Sequence, residues 1–261
     1  MGMLVGTENI AATVSAWGNG AGGALSPATG YANAALVDGS VASDWRSSAG
    51  AGTHNIALSL GAVPANIGAA SVHDLRGAGG EVPTGVHLYK SSTGISGAWD
   101  FVGTFTLDTR GDSLIIFSDT TAVHWKLVVA FATSPVLVLG ELGLWDLDTI
   151  VSPSEWNEET AYAVGVVGGG DDNTDEQLTK RGQARVFASL SFGRMLTADD
   201  AAIAAVVDAA EASKVLVVPL SSAPSIFYHG RIQARHRRRI DVPIYSGRAW
   251  EFAESPRRLR G

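Results

Sequence analysis

The chain has 261 residues, 46% of them hydrophobic and 17% charged, with 31 Gly and no Cys. That composition excludes a disordered chain, and the missing cysteine excludes disulfides, thiolate nucleophiles and Cys-ligated zinc. A formal net charge of −7 argues against nucleic acid as a partner. No window approaches the ~18 uninterrupted apolar residues of a membrane span, and the start, Met1 to Gly6, offers no basic region or apolar core, so neither membrane insertion nor a secretory leader is expected.

Up to about residue 150 the sequence is rich in Gly, Ala, Ser, Thr and Val, and its apolar runs are short. Strands are expected at Asn55–Leu60, Ala69–Asp74, Val86–Ser91, Trp99–Leu107, Ser113–Phe117, Val123–Phe131 and Val136–Trp145. Several alternate with period two, as in Val123-His124-Trp125-Lys126-Leu127. Gly61, Pro64, Gly77 to Gly80, Gly94, Gly97 and Gly111-Asp112 punctuate them. Short strands between turn signals, without a helical pattern, predict an all-β sandwich or jelly roll over residues 1–148. Residues 149–182 read as a linker followed by a Gly-rich acidic loop, Gly168 to Glu176, whose carboxylates would repel phosphate and lack calcium-loop spacing. Residues 183–261 read as a smaller β-rich α+β unit. In it Thr197 caps a helix over about 198–212, Asp199 and Asp200 favour its dipole, and strands follow at Lys214–Pro219, Ile226–Ala234 and Ile240–Phe252.

Charge is uneven. Residues 1–150 hold 5 Lys/Arg against 12 Asp/Glu, whereas 212–261 holds 10 against 3. An acidic front and a basic tail could stack on copies of the chain or on an acidic neighbour. The sharpest cluster is Arg235-His236-Arg237-Arg238-Arg239. In an alternating strand Arg235, Arg237 and Arg239 share one face, and they are expected to meet carboxylates of another subunit, with a solvated hairpin tip as the alternative. The six His show no metal-ligand spacing, and no nucleophile elbow or zinc-protease motif is present, so no enzyme is expected.

Five pieces of the first unit resemble the discoidin, or factor 5/8 type C, family. They are Asn33-Ala34-Ala35-Leu36-Val37-Asp38-Gly39 with Ser43-Asp44-Trp45-Arg46; Ile56-Ala57-Leu58-Ser59-Leu60-Gly61; Val86-His87-Leu88-Tyr89 with Trp99; Ala122 to Val128; and Glu141-Leu142-Gly143-Leu144-Trp145. They occur in the family's order across residues 25–146. The resemblance implies a galactose-binding-like jelly roll with Trp45 and Trp145 in its core. It also implies a structural calcium near Asp38 and Glu141, no other cofactor, and ends closed by strand pairing because the family's disulfide is absent. The second unit, over residues 183–256, is similar to terminal portions of small bacteriophage tail proteins.

Together these features suggest a virion structural protein of a phage tail tip or baseplate, assembled in the host cytoplasm. It would join other tail proteins and copies of itself and display the jelly roll toward a host-surface glycan. The alternatives are a stand-alone carbohydrate-binding module and, third, a glycan-processing enzyme. Any sugar site is expected on the loops Asp44–Gly52 and Gly77–Pro83, where Trp45 is the only aromatic residue.

Overall fold

The computed structural model describes residues 2–40, 43–61, 66–151, 153, 155–167, 177–209, 215–219, 227–238 and 245–254. Its strands in chain order are β1 (Gly2–Gly6), β2 (Val14–Gly18), β3 (Trp45–Arg46), β4 (Thr53–Leu60), β5 (Ile67–His73), β6 (Arg76–Gly77), β7 (Gly85–Ser91), β8 (Asp100–Thr104), β9 (Ser113–Thr120), β10 (His124–Ala130), β11 (Leu137–Leu139), β12 (Glu141–Trp145), β13 (Asp148–Val151), β14 (Glu155–Val167) and β15 (Gln177–Leu196). The helix α1 (Thr197–Ala209) follows, and then β16 (Val215–Pro219), β17 (Tyr228–Arg238) and β18 (Tyr245–Glu254). No described helix is long and apolar enough to cross a membrane.

The expected sandwich is present. A five-stranded antiparallel sheet, β2-β4-β10-β7-β8, faces a three-stranded antiparallel sheet, β12-β5-β9. Alternation sets the faces: in β10 Trp125, Leu127 and Val129 are buried, whereas His124, Lys126 and Val128 are half-buried on the outer side. The inward set meets Ile67, Ala70, Val72, Leu142 and Leu144 from the opposing sheet in one hydrophobic core. Each fully buried Val, Leu or Ile side chain in this set contributes roughly 1.5–3 kcal/mol.

The stretch expected as one strand over Val136–Trp145 divides at Gly140 into β11 and β12, which lie in different sheets. Gly140 N–H donates to His73 O at 2.9 Å, so the chain changes partners there while its backbone stays bonded.

Residues 149–182 are not simply a linker. They contain most of β13, all of β14 and the start of β15, and the acidic run 168–176 lies outside the described residues. These strands join a seven-stranded sheet, β13-β1-β16-β17-β18-β15-β14, which also takes in the N-terminal strand β1. The sequence reading missed this role of β1 because pairing with β13 and β16 is a long-range event that a five-residue run cannot announce. The order of strand, helix and three strands expected from residue 183 is observed, its first strand beginning earlier, at Gln177, with α1 packed on β13, β15 and β18.

The sandwich and this large sheet share a seam. Every residue of β5 and β12 is buried, as expected of strands covered on both faces. The second face places Ala69, Leu114 and Trp145 against Leu216 and Val218. Trp145 therefore fills the seam rather than the middle of the sandwich. Its indole N–H donates to Ser71 Oγ at 2.9 Å. Gly143 has no alternative residue here, since a Cβ would fall 2.3 Å from the Trp145 indole nitrogen.

The sandwich closes through side chains as well as strand pairing. Asn9 Nδ2 donates to Glu141 Oε1 at 2.8 Å and to Leu142 O at 2.9 Å. Its Oδ1 accepts from Ala11 N and Leu144 N, both at 3.0 Å. Asn9 and Glu141 are buried, so removing the amide strands several groups away from water. Asn9→Ala is expected to cost roughly 3 kcal/mol and to lower Tm by roughly 6–12 °C. Calorimetry checks this, and a change of a few tenths of a kcal/mol would contradict the role given to Asn9.

Candidate functional site

At one end of the sandwich a small sheet, β3-β11-β6, brings the two expected loops together. Its register pairs Val138 with Arg46 on one side and with Arg76 on the other. The three residues form one row across the sheet, with the arginine Cα atoms about 10 Å apart at two strand spacings. The neighbouring positions Trp45, Leu137 and Leu139 point the other way, into the core.

Each arginine is aimed by an aspartate two residues earlier. Arg46 Nε and Nη2 donate to Asp44 Oδ2 at 3.1 and 3.0 Å; Arg76 Nε donates to Asp74 Oδ1 at 3.1 Å. The carboxylates lie deeper than the guanidinium groups: the Asp44 side chain is 4% exposed and that of Arg46 34%. Arg46 also sits over the Tyr31 ring, 5.0 Å from its centroid, an arrangement that stiffens the cation further. Arg76 is positioned by the turn beyond it. Asp74 takes φ +50°, the one positive value at a described residue other than glycine, and its N–H donates to Asp112 Oδ1 at 3.0 Å. Leu75 N–H donates to Gly111 O at 2.9 Å. At Gly111, with φ +78°, a Cβ would fall 2.6 Å from Leu75 O.

Beside Arg76 lies a cleft of about 420 Å³ between the 77–82 loop and the 107–111 turn, with Glu81 and Asp108 on its walls. Gly80, at φ +90°, lets the loop fold back so that Glu81 accepts Gly79 N–H at 2.9 Å. Val82, 75% exposed, gives the rim an apolar surface. The site thus offers fixed donors, fixed acceptors and apolar carbon within one loop cluster.

Both loops are stitched to the segment that leads into β11. Ala51 N–H donates to Pro135 O at 3.2 Å and Ala78 N–H to Val136 O at 2.8 Å. His54 adds a side-chain link, its Nε2 lying 2.9 Å from the Pro135 carbonyl, which only accepts, so Nε2 carries the proton.

Other residues singled out in the sequence fall elsewhere. Trp45 is buried and donates to Asn33 Oδ1 at 2.9 Å, which removes it as a stacking surface for sugar. Asp38 and Glu141 do come to one turn. Glu141 Oε1 accepts Gly39 N–H at 3.2 Å, while Asp38 holds Ser40 N–H and the Ser43 hydroxyl. Among the described residues no group of three metal-ligating side chains occurs. Arg235 and Arg237 stand in β17, in register with Trp250 and Arg248 of β18, and Arg239 lies outside the described residues. The reading missed Tyr31, Arg46 and Arg76. A signal existed in the repeated Asp-x-Arg of Asp44-Trp45-Arg46 and Asp74-Leu75-Arg76, which only the shared partner Val138 turns into one site.

No family model matches the sequence, and no curated protein is matched. Among solved structures the chain is similar to chitosan-binding module 1 of a chitosanase/glucanase from Paenibacillus sp. IK-5, at 20% identity and TM-score 0.43, covering 53% of this chain and 99% of that one. It is also similar to CBM32-1 of a family 31 glycoside hydrolase from Clostridium perfringens, at 16% identity and TM-score 0.39, covering 47% and 89%. A third is chitosan-binding module 2 of the Paenibacillus enzyme in complex with chitotriose, at 22% identity and TM-score 0.38, covering 45% and 88%. Likeness at this level decides nothing about this chain, whose own residues carry the functional reading.

Burial lowers the His54 pKa below the ordinary imidazole value, partly offset by its backbone hydrogen bonds to Pro135 and Ala51. The unfolded chain therefore binds a proton that the folded chain resists, and stability falls as pH drops through the unfolded value near 6.5. Between about pH 7 and 5.5 the Tm of the parent should fall more steeply than that of His54→Gln. Parallel slopes would contradict the assignment.

Proposed function

We propose that the chain is a non-catalytic carbohydrate-binding protein whose ligand bridges the Arg46 and Arg76 guanidinium groups, above the fully buried Val138, and enters the adjoining cleft. The row itself carries the reading. Sugar hydroxyls donate and accept at once: the two guanidinium groups, each held by its aspartate, present fixed donors, and Glu81 and Asp108 on the cleft walls present acceptors, which suits recognition of neighbouring hydroxyls. Val82 and Tyr31 supply apolar surface beside them for the C–H faces of a sugar ring. Because both arginines are already held, little side-chain entropy remains to be lost on binding.

This is the alternative raised from the sequence. The leading expectation, a phage-tail structural role, finds no support in the described residues or in the comparisons. Assembly through Arg235, Arg237 and Arg239 is a separate proposal. Light scattering of the parent and the triple Ser variant tests it; a monomeric parent or an unchanged oligomer counts against it.

Carbohydrate binding is tested on a glycan array, followed by titration calorimetry with the retained sugar. Arg46→Ala and Arg76→Ala should each weaken binding by roughly 10-fold or more, as expected for a lost charged hydrogen bond. A chain that retains no glycan, or binding untouched by either substitution, would overturn the proposal.

A further inference from the structure

The solvent face of the five-stranded sheet carries a second constellation, remote in register from the loop end. One cross-strand row runs Gly18, Ala57, Lys126, Tyr89 and Phe101, each in register with the next. The small residues at its start leave space that Ile95 fills: a Cβ on Gly18 would fall 3.1 Å from Ile95 Cδ1. The 19–23 turn then folds over the lysine stem. Gly20, at φ +73°, leaves so little room that a Cβ there would meet Lys126 Cδ at 2.5 Å. Trp99 closes over the same spot, its indole N–H donating to Gly20 O at 3.3 Å.

Lys126 is thereby threaded between rings. Its Nζ lies 4.7 Å from the Trp99 centroid and 5.0 Å from that of Tyr89. Among the described residues no carboxylate pairs with it. Desolvation lowers its pKa from the ordinary lysine value, so the ammonium has lost water without gaining a counter-ion. Beyond Tyr89 the row ends in Phe101, which packs edge-on at 5.6 Å and is 59% exposed. Two imidazoles flank the row. His124 is bonded through Nδ1 to Ser59 Oγ at 3.0 Å and His87 through Nδ1 to Thr104 Oγ1 at 2.9 Å, which turns the Nε2 edge of each away from its anchor.

We propose that this face is a second binding site, for an acidic saccharide such as a uronic acid unit. The carboxylate would take the uncompensated Lys126 ammonium. The ring would lie against Phe101 and Tyr89, and its hydroxyls would meet His87 and His124. An exposed ring beside an unpaired cation suits a ligand with one charge and a broad C–H face. An acidic peptide offers charge without that face. The site uses no residue of the loop end, and its existence does not depend on binding there.

Affinity electrophoresis of the full chain in native gels tests it, with polygalacturonate, neutral dextran and poly-glutamate as additives. The basic segment 212–261 can attract any polyanion, so poly-glutamate reads out charge alone and retardation by polygalacturonate beyond it reports a site that recognises the sugar. The parent should be retarded more by polygalacturonate than by either other polymer. Lys126→Gln, which keeps the stem, and Phe101→Ala, at an exposed position, should each weaken retardation by roughly 10-fold. Lys126→Arg should largely preserve it, and Arg76→Ala should leave it unchanged. Retardation that survives Lys126→Gln, no retardation of the parent, or equal retardation by poly-glutamate would overturn the proposal. Loss through Arg76→Ala would reassign the acidic sugar to the loop end.

Discussion

One buried carboxylate oxygen joins three distant parts of the chain. Glu141 Oε1 accepts from the Asn9 side chain and from Gly39 N–H, tying the start of the sandwich and the Asp38-Gly39 turn to the first residue of β12. A buried carboxylate is costly unless its acceptors are met, so this oxygen holds its donors in place as much as they hold it. Beta-strand pairing alone would leave β12 free to shift by two residues while keeping its faces. The Asn9 amide removes that freedom, because its four hydrogen bonds reach fixed backbone groups at Ala11, Leu142 and Leu144 as well as Glu141.

The consequence extends beyond β12. The segment 137–145 supplies β11 at one end and β12 at the other, with a break of a single residue between them. Beta11 carries Val138 and so sets the spacing of Arg46 and Arg76. Beta12 carries Leu142 and Leu144 into the sandwich core and Trp145 into the seam with the large sheet. Core closure, the join between the two halves and the loop-end site therefore share nine residues of backbone. Recognition loops on a rigid scaffold need this kind of support. Their own residues are mostly small and polar and could not fix their geometry.

Much of the architecture was legible because it is written locally. The alternation of Val123 to Val129 shows a half-buried strand, and Thr197 with Asp199 and Asp200 marks the start of the helix at its observed place. What escaped depended on long-range pairing. Met3-Leu4-Val5 reads as any short apolar run, and only its neighbours β13 and β16 make it part of the far sheet. The family resemblance places Trp145 in the sandwich core, but which face of β12 meets which layer is a tertiary fact. The arginine row was hidden for the same reason. Arg46 and Arg76 are thirty positions apart, and neither segment hints that Val138 lies between them. The aromatic shortage expected in the loops was real within Asp44–Gly52 and Gly77–Pro83, yet Tyr31 reaches Arg46 from outside them.

The loop end held by 137–145 is proposed as a sugar site. A crystal structure of the full chain soaked with an oligosaccharide that it retains on an array tests this most directly. Sugar density is expected to span Arg46 and Arg76, with hydroxyls within hydrogen-bond distance of at least one guanidinium. Density confined to another surface, with the row unoccupied, would contradict it.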